Sequence, residues 1–352
     1  MLASVAMFKS SVYLILDGII VWKDTNLLDI YCEEVMETMD EKRNRILFVG
    51  LSCLDMVYVC NHFPEEDSDQ RAVYNAWRRG GNASNNSTAL MQLLKWKSCH
   101  DYEVEFFGTI AHDFPSDFLI KDFNENGIKI ENIVRYEESQ CPASTVIINA
   151  ENGSRTIVHF NKNLPELKCE SFSKLCFNKY KAIHFEGLRN VSEIRKMIAY
   201  VRQKDLKREI KISVELERAV DSLKDLLNDD IDIFFVEREF AKLMNYNTLE
   251  ETINGIAERV QPNALVICPW GESGAQAIDN TDKRIHSSPA FTPKTGVQDT
   301  LGAGDTFLSA TLFGLYALNY GLKEAIVLGC QVAGAKCGAL GFQHLHQFEQ
   351  YI

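Results

Sequence analysis

The sequence predicts an α/β protein whose core is one mainly parallel sheet with helices on both faces. Two observations predict it. Short, continuous apolar runs recur along the chain, and helical segments alternate with them. Strands that read as unbroken apolar runs are buried on both faces, the pattern of a parallel sheet under two helical layers. A third observation adds a feature: at about 52–80 and 141–160 the alternation gives way to paired strands, which predicts a small β-sheet lid.

Each element has its own signal. Arg45–Leu51 (RILFVGL) is an apolar strand run containing Gly50, and Met56–Cys60 and Arg71–Trp77 flank a polar loop. Asn82–Lys95 reads as a helix with Asn82 at its N-cap. Strand Glu103–Ile110 precedes helix Pro115–Asn126, which has proline at its start and Gly127 past its end. Asn152-Gly153 is a hairpin turn between Ser144–Ala150 and Arg155–Phe160. Then follow strand Ala182–Phe185, helix Ser192–Gln203, and strands Ile210–Val214 and Ile231–Val236. Thr248 and Glu251 form a capping box, and Leu265–Cys268 is a further strand. Two long apolar helices, Asp305–Tyr320 and Lys323–Cys337, close the chain.

The 352 residues, 46% hydrophobic and 24% charged, show no repeat and no interdomain linker. They divide into an N-terminal extension, 1–40, expected to be poorly ordered, and a single main body, 41–352. The run Val12–Trp22 is interrupted by Asp17, is too short to span a bilayer and has only Lys9 as a basic flank, which argues against a membrane anchor. A net charge of −12 argues against a nucleic-acid-binding surface. Ten cysteines without a C-x-x-C pair read as reduced thiols in a cytoplasmic protein.

Chemistry concentrates in two strings. In Asp299–Phe307 (DTLGAGDTF), Gly302 and Gly304 straddle Ala303 directly before an apolar helical run. Glycines there let bare amides approach a ligand, and the helix dipole favours negative charge at the same point. Asp305, at the helix start, serves either as an N-cap or as a general base. In Arg79–Asn85 (RGGNASN), Gly80-Gly81 allow a sharp turn, and Asn82 and Asn85 share a helical face where their amides suit sugar hydroxyls. There is no GxxxxGK[ST], GxSxG or HExxH string, and no metal-ligating constellation is expected; His344 and His346 lack partners in metal-site spacing.

The first string resembles the C-terminal D-T-x-G-A-G-D signature of ribokinase-like carbohydrate kinases, and the second resembles their N-terminal Gly-Gly signature. VGLSCLDMV and FPEEDSDQR before them, IHFEG between them and GCQVAGAKCG after them occur in an order similar to the ketohexokinase (fructokinase) branch, so the likeness runs from about Arg45 to Gly341. It implies a ribokinase-like sheet with a β lid, ATP-dependent phosphorylation of a ketohexose, and most simply the conversion of fructose to fructose 1-phosphate. It also implies roles. Asp305 is the base, the amides of Gly302, Ala303 and Gly304 form an anion hole, and Arg155 sits near the transferred phosphate. Asp55, Gly81, Asn82 and Asn85 hold the sugar. Asp67 reaches it from a lid that is shared across a homodimer. Gly274, Phe291, Pro293, Cys330 and Ala333 line the adenine pocket. Mg2+ accompanies ATP, and K+ near Asp299 orders the anion hole.

The chain departs from that pattern in places. Ser154 replaces an asparagine before the hairpin arginine, and single extra residues fall near Leu188 and Lys294. The stretch Val236-Glu237-Arg238-Glu239-Phe240 lacks the Asn-x-x-Glu found in many relatives. The alternatives are a kinase of the same fold for another sugar or a nucleoside, and a catalytically silent sugar-binding regulator.

Overall fold

In the computed structural model, residues 3–8, 11–16, 19–22, 43–187 and 190–352 are described, and they form two units, Met1–Arg43 and Asn44–Ile352. In the first, β1 (Ala3–Phe8), β2 (Ser11–Leu16) and β3 (Ile19–Trp22) pair as an antiparallel meander, so most of the Val12–Trp22 run is strand. Cys32 and the extra residue at Leu188 lie outside the described residues.

The second unit carries β4 (Arg45–Val49), β5 (Cys53–Cys60), β6 (Tyr74–Gly80), β7 (Glu103–Phe107), β8 (Thr109–Ala111), β9 (Val134–Tyr136), β10 (Ala143–Asn149), β11 (Arg155–Phe160), β12 (Tyr180–Glu186), β13 (Lys211–Leu216), β14 (Ile233–Val236), β15 (Leu265–Pro269), β16 (Ala275–Asp279) and β17 (Arg284–Ser288). The main sheet has the order β17-β16-β15-β14-β13-β12-β4-β7. From β15 to β7 every pair is parallel, and β16 and β17 add an antiparallel edge. Alternate residues of each strand feed opposite cores. Leu47 and Val49 pack with Ile194, Met197 and Ile198 of the helix Val191–Lys204, whereas Ile46 and Phe48 pack with Leu90 and Leu93 of Asn82–Trp96 and with Leu308 and Leu312 of Ala303–Tyr316. Strands buried on both faces account for the continuous apolar runs. Among the described residues, no helix is long and apolar enough to cross a membrane.

The predicted lid is a separate four-stranded sheet, β11-β10-β5-β6. Its hairpin β10–β11 is antiparallel as the Asn-Gly signal requires, but β10 joins β5 in parallel, a pairing no turn signal reveals. One face of the lid is closed: Val57, Val146 and Ile148 are buried together with Leu301 beside them. The strand β11 is exposed along its whole length. Val146 and Ile148 are therefore core residues, while Ile157 and Val158 remain exposed at 47% and 66%.

Two helix starts differ from the sequence expectation. Asn82 is the first helical residue, and Gly81, at φ +97°, holds the N-cap. A Cβ on Gly81 would lie 2.2 Å from the Leu51 carbonyl oxygen, so the position needs glycine on both counts. The penultimate helix starts at Ala303 and ends at Tyr316, two residues earlier at its start and four earlier at its end than the apolar pattern implies. Asp305 thus sits inside its first turn and is not the N-cap; Gly302, left-handed at φ +77°, takes that place.

Candidate active site

The parallel strands β12, β13 and β14 all end at one edge of the sheet, and each ends in carboxylates: Glu186, Glu215 with Glu217, and Glu237. Ligands of open α/β sheets bind beyond that edge. The first turns of Asn82–Trp96 and Ala303–Tyr316 meet there. Asn85 Nδ2 donates to Asp305 Oδ2 at 2.8 Å, across 220 residues of sequence. Asn82 Nδ2 donates to Glu217 at 2.9 Å and to Glu215 at 3.1 Å. The two signatures found in the sequence therefore form one place.

Too many buried carboxyl groups share it for all to be ionised. Burial pushes Asp305 well above the usual carboxylate range; the Asn85 bond opposes this, and Glu217, Glu186 and Glu237 reinforce it. Glu215 shifts the same way, through burial and then Glu217 and Asp305. Burial raises Glu186 to about 7 and Glu237 to about 8, in the latter with Glu217 adding and Arg155 and Arg238 opposing. Glu186 Oε2 accepts from the Leu51 and Ala83 amides, while its buried Oε1 has no hydrogen bond among the described residues. Arg218 stands 3.8 Å from that oxygen.

The glycine turn lies alongside. The Ala303 amide makes a 3.3 Å turn bond to the Thr300 carbonyl, which engages one of the three amides expected to form the anion hole. A Cβ on Gly304 would stand 3.3 Å from Glu237 Oε1, so the turn and that carboxylate face each other. Arg155 Nη1 reaches Thr300 Oγ1 at 3.2 Å, and Thr300 in turn bonds the Gly153 carbonyl, tying the hairpin to the turn.

Asp299, at the other end of the turn, is fully buried. Its carboxylate takes Lys336 Nζ and Arg78 Nη1 at 2.9 Å each, the Leu301 amide at 2.9 Å and the Gly341 amide at 3.1 Å. Burial acts to raise its pKa, but Lys336 and the two amides hold it below the ordinary value. Four donors converge on this carboxylate, so the expected K+ does not fit there.

Asp55 lies within β5, in a row of the lid that runs Arg78, Asp55, Ser144, His159. Burial raises its pKa, opposed by bonds from Ser144 and Cys53 and by Arg78. A Cβ on Gly80 would fall 2.1 Å from its carboxylate, so a larger residue there would displace the Asp55 side chain. Asp67 is not brought to this place: it is exposed on the loop between β5 and β6, beyond the far end of a strand that extends about 17 Å from Asp55 to Cys60. The segments that carry the five expected adenine residues touch one another at three points. Gly274 packs on the Ser288 carbonyl, a Cβ on Gly334 would touch Phe291, and Gly338 abuts Pro293. Pro293 and Cys330 are buried, with Phe291 and Ala333 partly exposed.

Sequence reading missed Glu186, Glu215, Glu217, Glu237, Arg78 and Lys336. A carboxylate at the end of a buried strand, and one lysine within an apolar helix, were the signals available. A cavity of about 370 Å³ opens between Gly50, Leu51, Thr109, His159, Lys162 and Arg218. None of the predicted residues lines it; it adjoins Glu186 through Leu51 and Arg218. Among the described residues, no three metal-ligating side chains converge as a metal site.

This arrangement belongs to a known class. The pfkB family carbohydrate kinase pattern matches residues 43–347, and the chain belongs to that family; it is an ATP-dependent sugar kinase. It is 38% identical to the ketohexokinase of Mus musculus over 308 residues, which cover 86% of this chain and 99% of that one. The fold is shared with the ribokinase of Giardia lamblia (TM-score 0.70, 15% identity, 87% of this chain and 97% of that one). It is also shared with the Arabidopsis thaliana ribokinase complexed with ribose and ATP (TM-score 0.66, 16% identity, 85% and 94%).

Proposed function

We propose that the enzyme phosphorylates a ketohexose, D-fructose first, on its 1-hydroxyl, giving fructose 1-phosphate and ADP. The observation that carries this reading is the buried pair Asn85–Asp305 at the N-terminus of a helix that begins in a glycine turn. The likeness to mouse ketohexokinase supports the ketose as acceptor. The sugar 1-oxygen attacks the γ-phosphorus of ATP while the bond to the β,γ-bridging oxygen breaks, and the hydroxyl proton passes to an Asp305 carboxylate oxygen. The Gly302 and Gly304 amides and the Arg155 guanidinium stabilise charge on the group in transfer. Asn82, Asn85, Gly81 and Asp55 hold the sugar hydroxyls. Because burial favours protonated Asp305, binding must first strip that proton.

A magnesium ion fits the polyphosphate end of this site, where the Glu237 carboxylate faces Gly304. Glu237 would hold it, and when bound it would neutralise phosphate charge. The missing Asn-x-x-Glu motif is thereby answered by a different carboxylate.

The lid points to a homodimer. Ile157, Val158 and Phe160 leave apolar surface on β11, an open edge that a second copy would cover. Asp67, remote from its own site, would then serve the partner's sugar. Mixed refolding of Asp305→Asn with Asp67→Ala restores part of the activity if the lid is shared, and restores none if Asp67 acts within its own chain.

The reading is tested by ADP release across fructose, ribose and adenosine, with phosphorus NMR on the product. Fructose is expected to be turned over fastest, with phosphate on C1. Preference for ribose or adenosine would change the acceptor, and no turnover with any would leave a silent sugar binder.

A further inference from the structure

Lys336 stands in the helix Leu322–Cys337 among small and apolar neighbours, and its side chain is fully buried. Its ammonium donates twice to one residue: to the Asp299 carbonyl oxygen at 2.9 Å and to Asp299 Oδ2 at 2.9 Å. Holding both the main chain and the side chain of Asp299 fixes that residue's backbone and its χ1 together. Two residues on, the Leu301 amide closes on the other carboxylate oxygen. The same ammonium lies 5.6 Å from the centre of the Phe342 ring, and that ring fills the space a Cβ on Gly302 would occupy, 2.5 Å away. One buried charge thus bears on both ends of the turn Asp299–Gly302, immediately before the amides proposed to receive the phosphate.

Stability alone does not account for it. Taking an ammonium and a carboxylate out of water costs several kcal/mol, and an apolar pair of similar volume often packs as well or better. Burial pulls the Lys336 pKa down, and Asp299 works against that. Arg78 of β6 joins the same carboxylate, so the lid is bonded to the turn at the same point.

We infer that Lys336 is a positioning residue for phosphoryl transfer, a built-in monovalent cation that holds the glycine turn in its charge-accepting geometry. The inference rests on the kinase reading above but predicts something that reading does not.

The test compares wild type with Lys336→Ala and with Lys336→Met/Asp299→Asn, measuring kcat, KM for fructose, Tm and the response to ethylammonium against tetramethylammonium at equal ionic strength. A displaced catalytic element of this kind costs ~100-fold. Lys336→Ala is therefore expected to lose ~100-fold in kcat, with KM for fructose within about twofold. Ethylammonium, entering the vacated space, raises both its kcat and its Tm while leaving wild type unchanged. If Lys336→Ala does not fold, the double variant decides: with both charges gone it folds with near-wild-type Tm, and its kcat stays ~100-fold low. Wild-type kcat in either variant, or a change confined to KM, would overturn the inference, as would a foldable Lys336→Ala indifferent to ethylammonium. Should wild type turn over no sugar, the kinase reading fails, while the Tm recovery of Lys336→Ala by ethylammonium still reports the cation's role.

Discussion

Asp299 and Asp305 lie six residues apart in one turn, and both are buried, yet their surroundings drive them in opposite directions. Asp299 is ringed by donors: an ammonium, a guanidinium and two amides hold it ionised. Asp305 accepts a bond from the Asn85 amide, but burial first, and then the neighbouring carboxyl groups of Glu217, Glu186 and Glu237, keep a proton on it. Burial sets the stakes for both; the partners decide the sign. A permanently ionised aspartate can fix a turn but cannot readily take a proton. An aspartate poised to change state can act as a base once its neighbours are neutralised or its ligands arrive.

That contrast can be broken from either side. The largest effect belongs to Asp305→Asn, which keeps the shape and removes the proton acceptor. Turnover should fall by ~100-fold to ~10,000-fold while ATP binding, measured by calorimetry, survives. Asp299→Asn should act on stability instead: it leaves Lys336 buried without its counter-charge, at a cost of about 3–5 kcal/mol read in urea unfolding. Asn82→Ala and Asp55→Ala are smaller. Each strips a partner from a sugar hydroxyl at roughly 1–3 kcal/mol, so KM for fructose should rise about tenfold with ATP affinity nearly unchanged.

The smallest effect is a slope. Glu186 and Glu237 hold their protons to about 7 and about 8 in the folded chain, whereas an unfolded glutamate releases its proton near about 4.3. Between those limits the native state binds more protons than the unfolded one, so stability falls as pH rises. Tm of the ligand-free enzyme should therefore decline from about pH 5 to about pH 8, and Glu237→Gln should flatten the upper part of that decline. A Tm that climbs over this range would mean these carboxyls are ionised in the native state.

Much of this was legible in the sequence, and what was not has physical reasons. Asp305, Asn82 and Asn85 could be read because close backbone approach demands glycine beside them, and Gly81 and Gly302 left that mark. The parallel strands showed as apolar runs because both faces are covered. The edge strands β16 and β17 were missed: AQAID and RIHSS are short and mixed, and the turn between them carries Lys283 at φ +57° with no glycine to announce it. Asn82 was given the cap because asparagine favours it, whereas the tight approach to Leu51 places Gly81 there. Lys336 and the strand-end glutamates escaped because their partners lie tens to hundreds of residues away; only the odd charge within an apolar run hinted at them. The parallel pairing of β10 with β5 is equally non-local.

The opposed states of the two aspartates can be observed directly. With 13Cγ-labelled aspartate, carboxyl resonances are followed from pH 4 to pH 9 in the ligand-free enzyme, and the two signals are assigned by their loss in Asp299→Asn and Asp305→Asn. The signal lost with Asp299 is predicted to stay at the ionised position throughout, and the signal lost with Asp305 to stay at the protonated position well above the usual aspartate range. An Asp305 signal already ionised at pH 5, or an Asp299 signal titrating above it, would contradict the account.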